Sequence, residues 1–309
     1  MRVVVIGATG FVGRHTLAYL RSLGHDVLGT CSSGPRDGLI NFDLLRQRIT
    51  GCVPASFFEP GAPVIGLIGA AITQIDRCAR EPEFSQRVNV DGTIRLIDDL
   101  VAQGAKPVYL SSSFVFDGSV GYYPDDYPHS PISVYGRHKS AVEQYVREHV
   151  PDGLVLRLDK IVGDDPSERH LFSEWWGWVT AGRPIVCIDQ QIISPTWVAD
   201  VAKAIGLACE RQLTGVYNTA NTELYSRAEL AKQFLDAIGR EGQIVCRSQE
   251  ALGFLNLRPL KSSLDSARFI EATGMRWTPM REVFRRFMKR LDRKPDGAER
   301  TVHYEGARQ

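Results

Sequence analysis

Tyr135 and Lys139 put a phenol and an ammonium four residues apart, within Tyr-Gly-Arg-His-Lys. On a helix that spacing sets both on one face. A free tyrosine titrates at about 10. An ammonium beside it favours the phenolate and lowers that value. The phenol then serves as proton donor or acceptor near neutral pH. Upstream, Ser111, Ser112 and Ser113 follow one another at the end of an apolar run. A serine hydroxyl there can hydrogen-bond a substrate carbonyl and orient it, and hydride from a nicotinamide completes a carbonyl reduction. The Tyr-x-x-x-Lys pair alone is equally what an exposed helix shows, so the reading depends on what else the chain carries.

It carries a dinucleotide turn. MRVVVIGATGFVG joins the apolar run Val3–Ile6 to glycines at 7, 10 and 13. A helix-like pattern follows, with Leu17, Leu20 and Leu23. Strand, glycine turn and helix are the context that a cofactor site requires. The turn brings backbone close to a pyrophosphate, and free N–H groups at the helix start meet its charge. Gly7, Thr9, Gly10, Phe11, Val12 and Gly13 are therefore the expected pyrophosphate contacts.

The elements that must position these residues alternate. Strands are expected at Val3–Ile6, Asp26–Cys31, Leu39–Phe42, Val64–Ala70, Pro107–Ser111 and Gly153–Leu158, with helices at His15–Leu23, Glu83–Gly104 and Val134–His149. Such alternation argues for an α/β fold, a Rossmann-type doubly wound parallel sheet. Its ligands sit at the carboxyl ends of the strands. The second half is less regular. Asp164–Arg169 reads as a charged loop, Leu171–Thr180 is aromatic (Trp175, Trp176, Trp178), and Thr196–Arg211 reads as a helix, Val216–Thr219 as a strand. Ser226 with Glu229 is a capping box opening a helix to Ile238. Pro279–Leu291 is a basic helix whose Val283, Phe284 and Phe287 should pack inward. The expected organisation is a cofactor domain over 1–163 plus about 197–220, a smaller α+β substrate domain over about 164–196 and 221–291, and a polar tail at 292–309.

Composition sets the remaining bounds. The 309 residues are 43% hydrophobic and 24% charged, with net charge +1. Bulk charge gives no reason to expect nucleic acid or membrane as a partner. Cys31, Cys52, Cys78, Cys187, Cys209 and Cys246 are scattered. They read as reduced thiols of a cytoplasmic protein, with no disulfide frame and no metal site. A first strand starting at residue 2 leaves no room for a signal peptide, and the apolar run 63–72 is too short to span a bilayer. His15 follows the glycine turn on a helix and reads as structural.

Together, Gly7-x-x-Gly10-x-x-Gly13, a serine at the fifth strand and Tyr135-x-x-x-Lys139 resemble an extended short-chain dehydrogenase/reductase. Ala70–Pro82, Val115-Phe116-Asp117-Gly118, Asp189-Gln190 with Ser194-Pro195-Thr196, and Arg258-Pro259 with Ser262 and Leu264-Asp265 narrow it. These stretches resemble the dTDP-4-dehydrorhamnose reductases over residues 1 to about 290. The resemblance implies NAD(P)H-dependent reduction of the 4-keto group of a nucleotide-linked deoxysugar. It selects Ser112, by counting back from Val115-Phe116, with Tyr135 and Lys139 as catalytic, and it sets Tyr135 and Lys139 against the cofactor as well. It places Asp43 and Leu44 near the adenine, Ala70 and Ala71 near the diphosphate and nicotinamide ribose, and Ser112, Ser113, Lys160 and Arg258 at the substrate. A homodimer is compatible with it.

The chain departs from that pattern at two places. The family often has Thr-Asp where Ser112-Ser113 stand here, which removes a charge from the sugar site. It commonly has Thr-Ser-Trp where Leu158-Asp159-Lys160 stand, which exchanges a ring for a cation. Both point to a relative acting on another sugar. For the cofactor, an acidic residue at the end of the second strand would mark NAD. That place falls at Cys31, and Ser32, Ser33 and Arg36 follow, a set that suits a 2′-phosphate. NADPH is expected, with NADH also accepted. An epimerase retaining the same serine, tyrosine and lysine, and a non-catalytic NADP-binding regulatory subunit, are the alternatives.

Overall fold

The computed structural model describes residues 1–34 and 36–292. Its centre is a seven-stranded parallel sheet. The strands are β1 (Arg2–Ile6), β2 (Asp26–Cys31), β3 (Leu39–Asn41), β4 (Val64–Ile68), β5 (Lys106–Ser112), β6 (Leu154–Leu158) and β7 (Gly215–Asn218), in the order β7-β6-β5-β4-β1-β2-β3. The order reverses at β1, so crossovers leave on both faces and open a crevice at the carboxyl edge. Every residue of β4 and β6 is buried, as strands covered on both sides require.

Side-chain alternation divides the core. Val3 and Val5 face α1 (Phe11–Ser22) through Leu20 and the helix Val198–Glu210 through Val201 and Ile205. Val4 and Ile6 face the helix Thr93–Ala102 through Leu96, Ile97 and Leu100, and the helix Val134–His149 through Val142 and Val146. We label these helices α2 (Thr93–Ala102), α3 (Val134–His149) and, after α4 (Leu171–Thr180), α5 (Val198–Glu210). A third core lies outside the sheet. Phe172 and Trp175 of α4 pack with Phe234 of α6 (Arg227–Ala237), and with Phe284 and Phe287 of the basic helix at Met280–Asp292. Val283, Phe284 and Phe287 are buried there, as the amphipathic pattern predicts. Ser226 and Glu229 form the capping box expected at the start of α6.

Three elements differ from the sequence reading. The single helix expected over 83–104 is a series, Pro82–Gln86, a π-helical turn at Arg87–Gly92, then α2, and a further short helix, Ile75–Arg80, precedes it. Within the turn, the Asn89 carboxamide accepts from the Ile72 N–H at 2.8 Å and donates to the Ile72 carbonyl at 2.9 Å. It works as a clasp on the loop after β4, which a regular helix does not offer. The helix expected from Thr196 begins at Val198, because Thr196 and Trp197 pair with Ile161 and Val162. Within 221–291, the helix Ala267–Thr273 returns to the sheet, where Phe269 joins the core of Val3 and Val5. Asp292 ends the basic helix, and the rest of the expected tail lies outside the described residues. No described helix is long and apolar enough to cross a membrane.

Candidate active site

The glycine turn closes over the end of β1. Gly7 sits at φ +88°, and a Cβ there would stand 2.8 Å from the Ala70 nitrogen. Only glycine takes that conformation and that approach without strain. A Cβ on Gly13 would enter the Gly7 carbonyl, so α1 packs directly on the turn. The Gly7 N–H donates to the Thr30 hydroxyl at 3.2 Å and the Ala8 N–H to the Thr30 carbonyl at 3.0 Å, tying the turn to β2. Gly10 is the N-cap of α1 and supplies no side-chain cap. The N–H groups of Phe11, Val12 and Gly13 therefore lack intrahelical partners and sit where anions are favoured.

Beside this turn lies a cavity of about 310 Å³. Gly7, Thr9, Cys31, Ser32, Asp43, Leu44, Ala70 and Ala71 line it, which brings half of the expected cofactor residues together, while Gly10, Phe11, Val12 and Gly13 belong to the adjoining helix start. Ser33 and Arg36 are exposed on the loop after β2 and do not line it. The Cys31 thiol donates to the Gly34 carbonyl at 3.2 Å, and the strand ends in the neutral residues Cys31 and Ser32. Arg77 and Phe84 also line the cavity, and no sequence pattern singled them out. A glycine cradle, an uncapped helix start and a slot with apolar walls fit a dinucleotide.

The three serines separate by partner. Ser111 Oγ donates to Glu143, a buried carboxylate that also takes Arg157 and lies 3.2 Å from His129. Ser113 Oγ donates to Asp159 at 2.8 Å and does not reach the neighbouring large cavity. Ser112 accepts from the Phe114 N–H at 3.3 Å and faces that cavity beside Tyr135. Tyr135 is brought there by α3. Ser133 caps the helix by accepting from the Gly136 N–H at 3.0 Å, and a Cβ on Gly136 would enter the Phe114 carbonyl. Helix and loop therefore touch backbone to backbone, with the Tyr135 ring edge-on to Phe114 at 5.8 Å.

One turn on, the Lys139 ammonium donates to the Leu110 carbonyl at 2.7 Å and lies 5.8 Å from the centre of the Tyr135 ring. Burial pushes Lys139 down to about 8, against the pull of Glu143. The expected lowering of the tyrosine does not occur in this state. Burial drives the Tyr135 hydroxyl well above its usual range, and the neighbouring Ser112 hydroxyl offsets that only in part. Tyr135 is a neutral phenol at physiological pH, a proton donor. His15 pairs with Glu168 at 2.9 Å, away from this chemistry.

Ser112 and Tyr135 open into a cavity of about 920 Å³ lined also by Asp159, Lys160, Trp178, Arg227, Phe254 and Arg258. Asp159 accepts from Ser113, from Ser262 at 2.7 Å and from the Ser194 N–H at 2.6 Å; burial outweighs these bonds and raises it to about 6. Arg258 is engaged bidentately by Asp76 at 3.2 and 3.0 Å and lies over Phe254. The tryptophan cluster divides: Trp175 is buried in the third core and Trp178 is on the cavity wall.

The family described as "RmlD substrate binding domain" matches residues 1–293. This chain belongs to that family. It is similar to the dTDP-4-dehydrorhamnose reductase of Mycolicibacterium smegmatis, at 30% identity over 79% of this chain and 71% of that protein. It is also similar to the spore coat polysaccharide biosynthesis protein SpsK of Bacillus subtilis, at 26% identity over 93% of this chain and 97% of that one. A crystal structure of a hypothetical dTDP-4-dehydrorhamnose reductase from Sulfolobus tokodaii superposes with a TM-score of 0.80 at 25% identity, covering 92% of this chain and 99% of that one.

Within the RmlD family pattern, the departures at β5 and β6 are two halves of one exchange. The carboxylate absent at Ser113 stands across the strand pair at Asp159, and the two side chains are hydrogen-bonded. The expectation that a charge is removed is corrected: it has moved one strand over. Lys160 has no such compensation. Asn89, Asp159 and Arg227 escaped the sequence reading as site residues. Asn89 was hidden by an assumed regular helix, and Arg227 by its place just after a capping serine.

Proposed function

We propose that this RmlD-family chain is an NADPH-dependent reductase of the 4-keto group of a nucleotide-activated deoxysugar. One observation carries the reading: Tyr135, beside Ser112 and backed by Lys139, opens into a cavity large enough for a nucleotide sugar beside the glycine cradle. The name of the Mycolicibacterium relative supports it. The glycine turn and the first turn of α1 hold the pyrophosphate, and Ser32 at the neutral end of β2 takes the 2′-phosphate. A bound reduced nicotinamide supplies hydride to the carbonyl carbon.

The chain's own residues do the rest. Ser112 and Tyr135 orient the carbonyl oxygen through their hydroxyls. Tyr135 gives its proton to that oxygen as the alcohol forms. Lys139, held on the Leu110 carbonyl, places a positive charge near the phenolate left behind and lowers its cost. Solvent returns the proton.

The test is NADPH consumption by the purified chain across nucleotide-linked 4-keto sugars, with alcohol product identified. Turnover on at least one sugar, at a rate well above that with NADH, is expected. Cofactor binding without oxidation on every sugar would remove the reductase reading.

A further inference from the structure

Two cations in the large cavity form no ion pair with any described residue. Lys160 stands two residues past Leu158, which pairs with Ser112 across β5 and β6. It therefore lies at the reacting end of the cavity. Its ammonium makes no hydrogen bond or ion pair with any described residue. Arg227 faces the same space from the first position of α6. Its Nε is buried with no hydrogen-bond partner, and its guanidinium rests over Trp175 at 5.4 Å. A cation at a helix start also opposes the helix dipole.

The two charges act on each other. Lys160 is pushed down to about 8, by burial first and by Arg227 second. Asp159 and Glu174 pull the other way, but neither pairs with them: Asp159 is taken by Ser113, Ser194 and Ser262. Like charges held close, half-buried and without an ion-pair partner are costly. The arrangement is explained where the ligand brings the anion. Arg258, already neutralised by Asp76, shows the contrast.

We propose that the sugar of the substrate carries a carboxylate, bound between Lys160 and Arg227. This rests on the nucleotide-linked keto-sugar reading above and replaces its neutral deoxysugar by an acidic sugar. The reacting carbonyl must touch Ser112 and Tyr135, so the group beside Lys160 belongs to the sugar ring, with the diphosphate beyond it. The substrate class is an acidic nucleotide sugar.

The experiment is calorimetric titration of the full chain, NADP⁺ present, with UDP-glucuronate, UDP-glucose and UDP, and with the same set in the dTDP series. UDP-glucuronate and UDP-glucose differ only in a carboxylate for a hydroxymethyl. A charge-assisted contact predicts that the acidic sugar binds about tenfold tighter or more. In Lys160→Met the preference disappears, the UDP-glucuronate affinity falling to that of UDP-glucose. Lys160→Arg keeps it, which separates lost charge from lost folding. Equal affinity of the two sugars for the unaltered chain overturns the carboxylate. So does Lys160→Met weakening the bare nucleoside diphosphate as much as the acidic sugar, which assigns these cations to the diphosphate. Binding of no nucleotide or nucleotide sugar in either series overturns the nucleotide-sugar reading as well.

Discussion

Tyr135 defines the chemistry at the scale of single residues. Its pairing with Lys139 was legible from spacing alone, because four residues on a helix fix a shared face. Its protonation was not. Burial is a property of the assembled site, and it overrode the electrostatic argument that proximity to an ammonium suggested. Removing the phenol in Tyr135→Phe should lower kcat by about 10²–10⁴-fold, the usual range for a general acid. Calorimetric binding of NADP⁺ should be unchanged. Lys139 sets the pH dependence. Its ammonium is lost as pH rises through about 8. Log kcat/KM for reduction, measured from pH 6 to 10, should therefore be flat at the low end and fall above an apparent value of about 8. A profile that rises with pH would mean that a deprotonated group limits the reaction. At the cofactor end, Cys31→Asp puts a carboxylate where the 2′-phosphate is expected, and like-charge juxtaposition predicts a fall of about tenfold or more in the NADPH-to-NADH ratio of kcat/KM.

At the scale of elements, strands were easier to read than the segments between them. β1, β2, β4, β5 and β6 stand within two residues of their expected ends, because fully buried parallel strands leave continuous apolar runs. The segment after β4 was misread for a physical reason. Apolar periodicity continues through Val88, Val90 and Ile94, but Asn89 spends its carboxamide on Ile72 rather than on solvent. Nothing local announces that partner, seventeen residues away in the chain. The clasp makes a prediction. Asn89→Leu should loosen the loop carrying Ala70 and Ala71 and raise KM for NADPH several-fold. Losing two buried hydrogen bonds should also cost about 2–4 kcal/mol in chemical denaturation. Unchanged KM with lower stability would confine Asn89 to a structural role.

The whole molecule combines a sheet that could be foreseen with a second core that could not be assembled from sequence. The parallel order follows from strand–helix alternation, and its carboxyl edge gathers Gly7, Cys31, Ala70, Ser112 and Asp159. The aromatic core of Phe172, Trp175, Phe234, Phe284 and Phe287 draws on three helices far apart in the chain. Each helix shows an apolar face, but which faces meet is decided by topology. The same holds for Ser113, Ser194 and Ser262, three residues from separate segments that converge on the Asp159 carboxylate. The exchange of carboxylate and hydroxyl between β5 and β6 looked like a lost charge until the strands were placed side by side. Together these contacts hold the cavity wall against the catalytic edge.

Ser112, Tyr135 and Lys139 are proposed to reduce a nucleotide-linked keto sugar. The most direct test of this follows NADPH absorbance and product formation with purified chain and a set of neutral and acidic nucleotide-linked 4-keto sugars, comparing the unaltered chain with Tyr135→Phe. One alcohol formed per NADPH consumed is expected of the unaltered chain, and near-complete loss of that turnover in Tyr135→Phe with NADP⁺ still bound. Turnover of equal rate in both proteins would contradict the proposal.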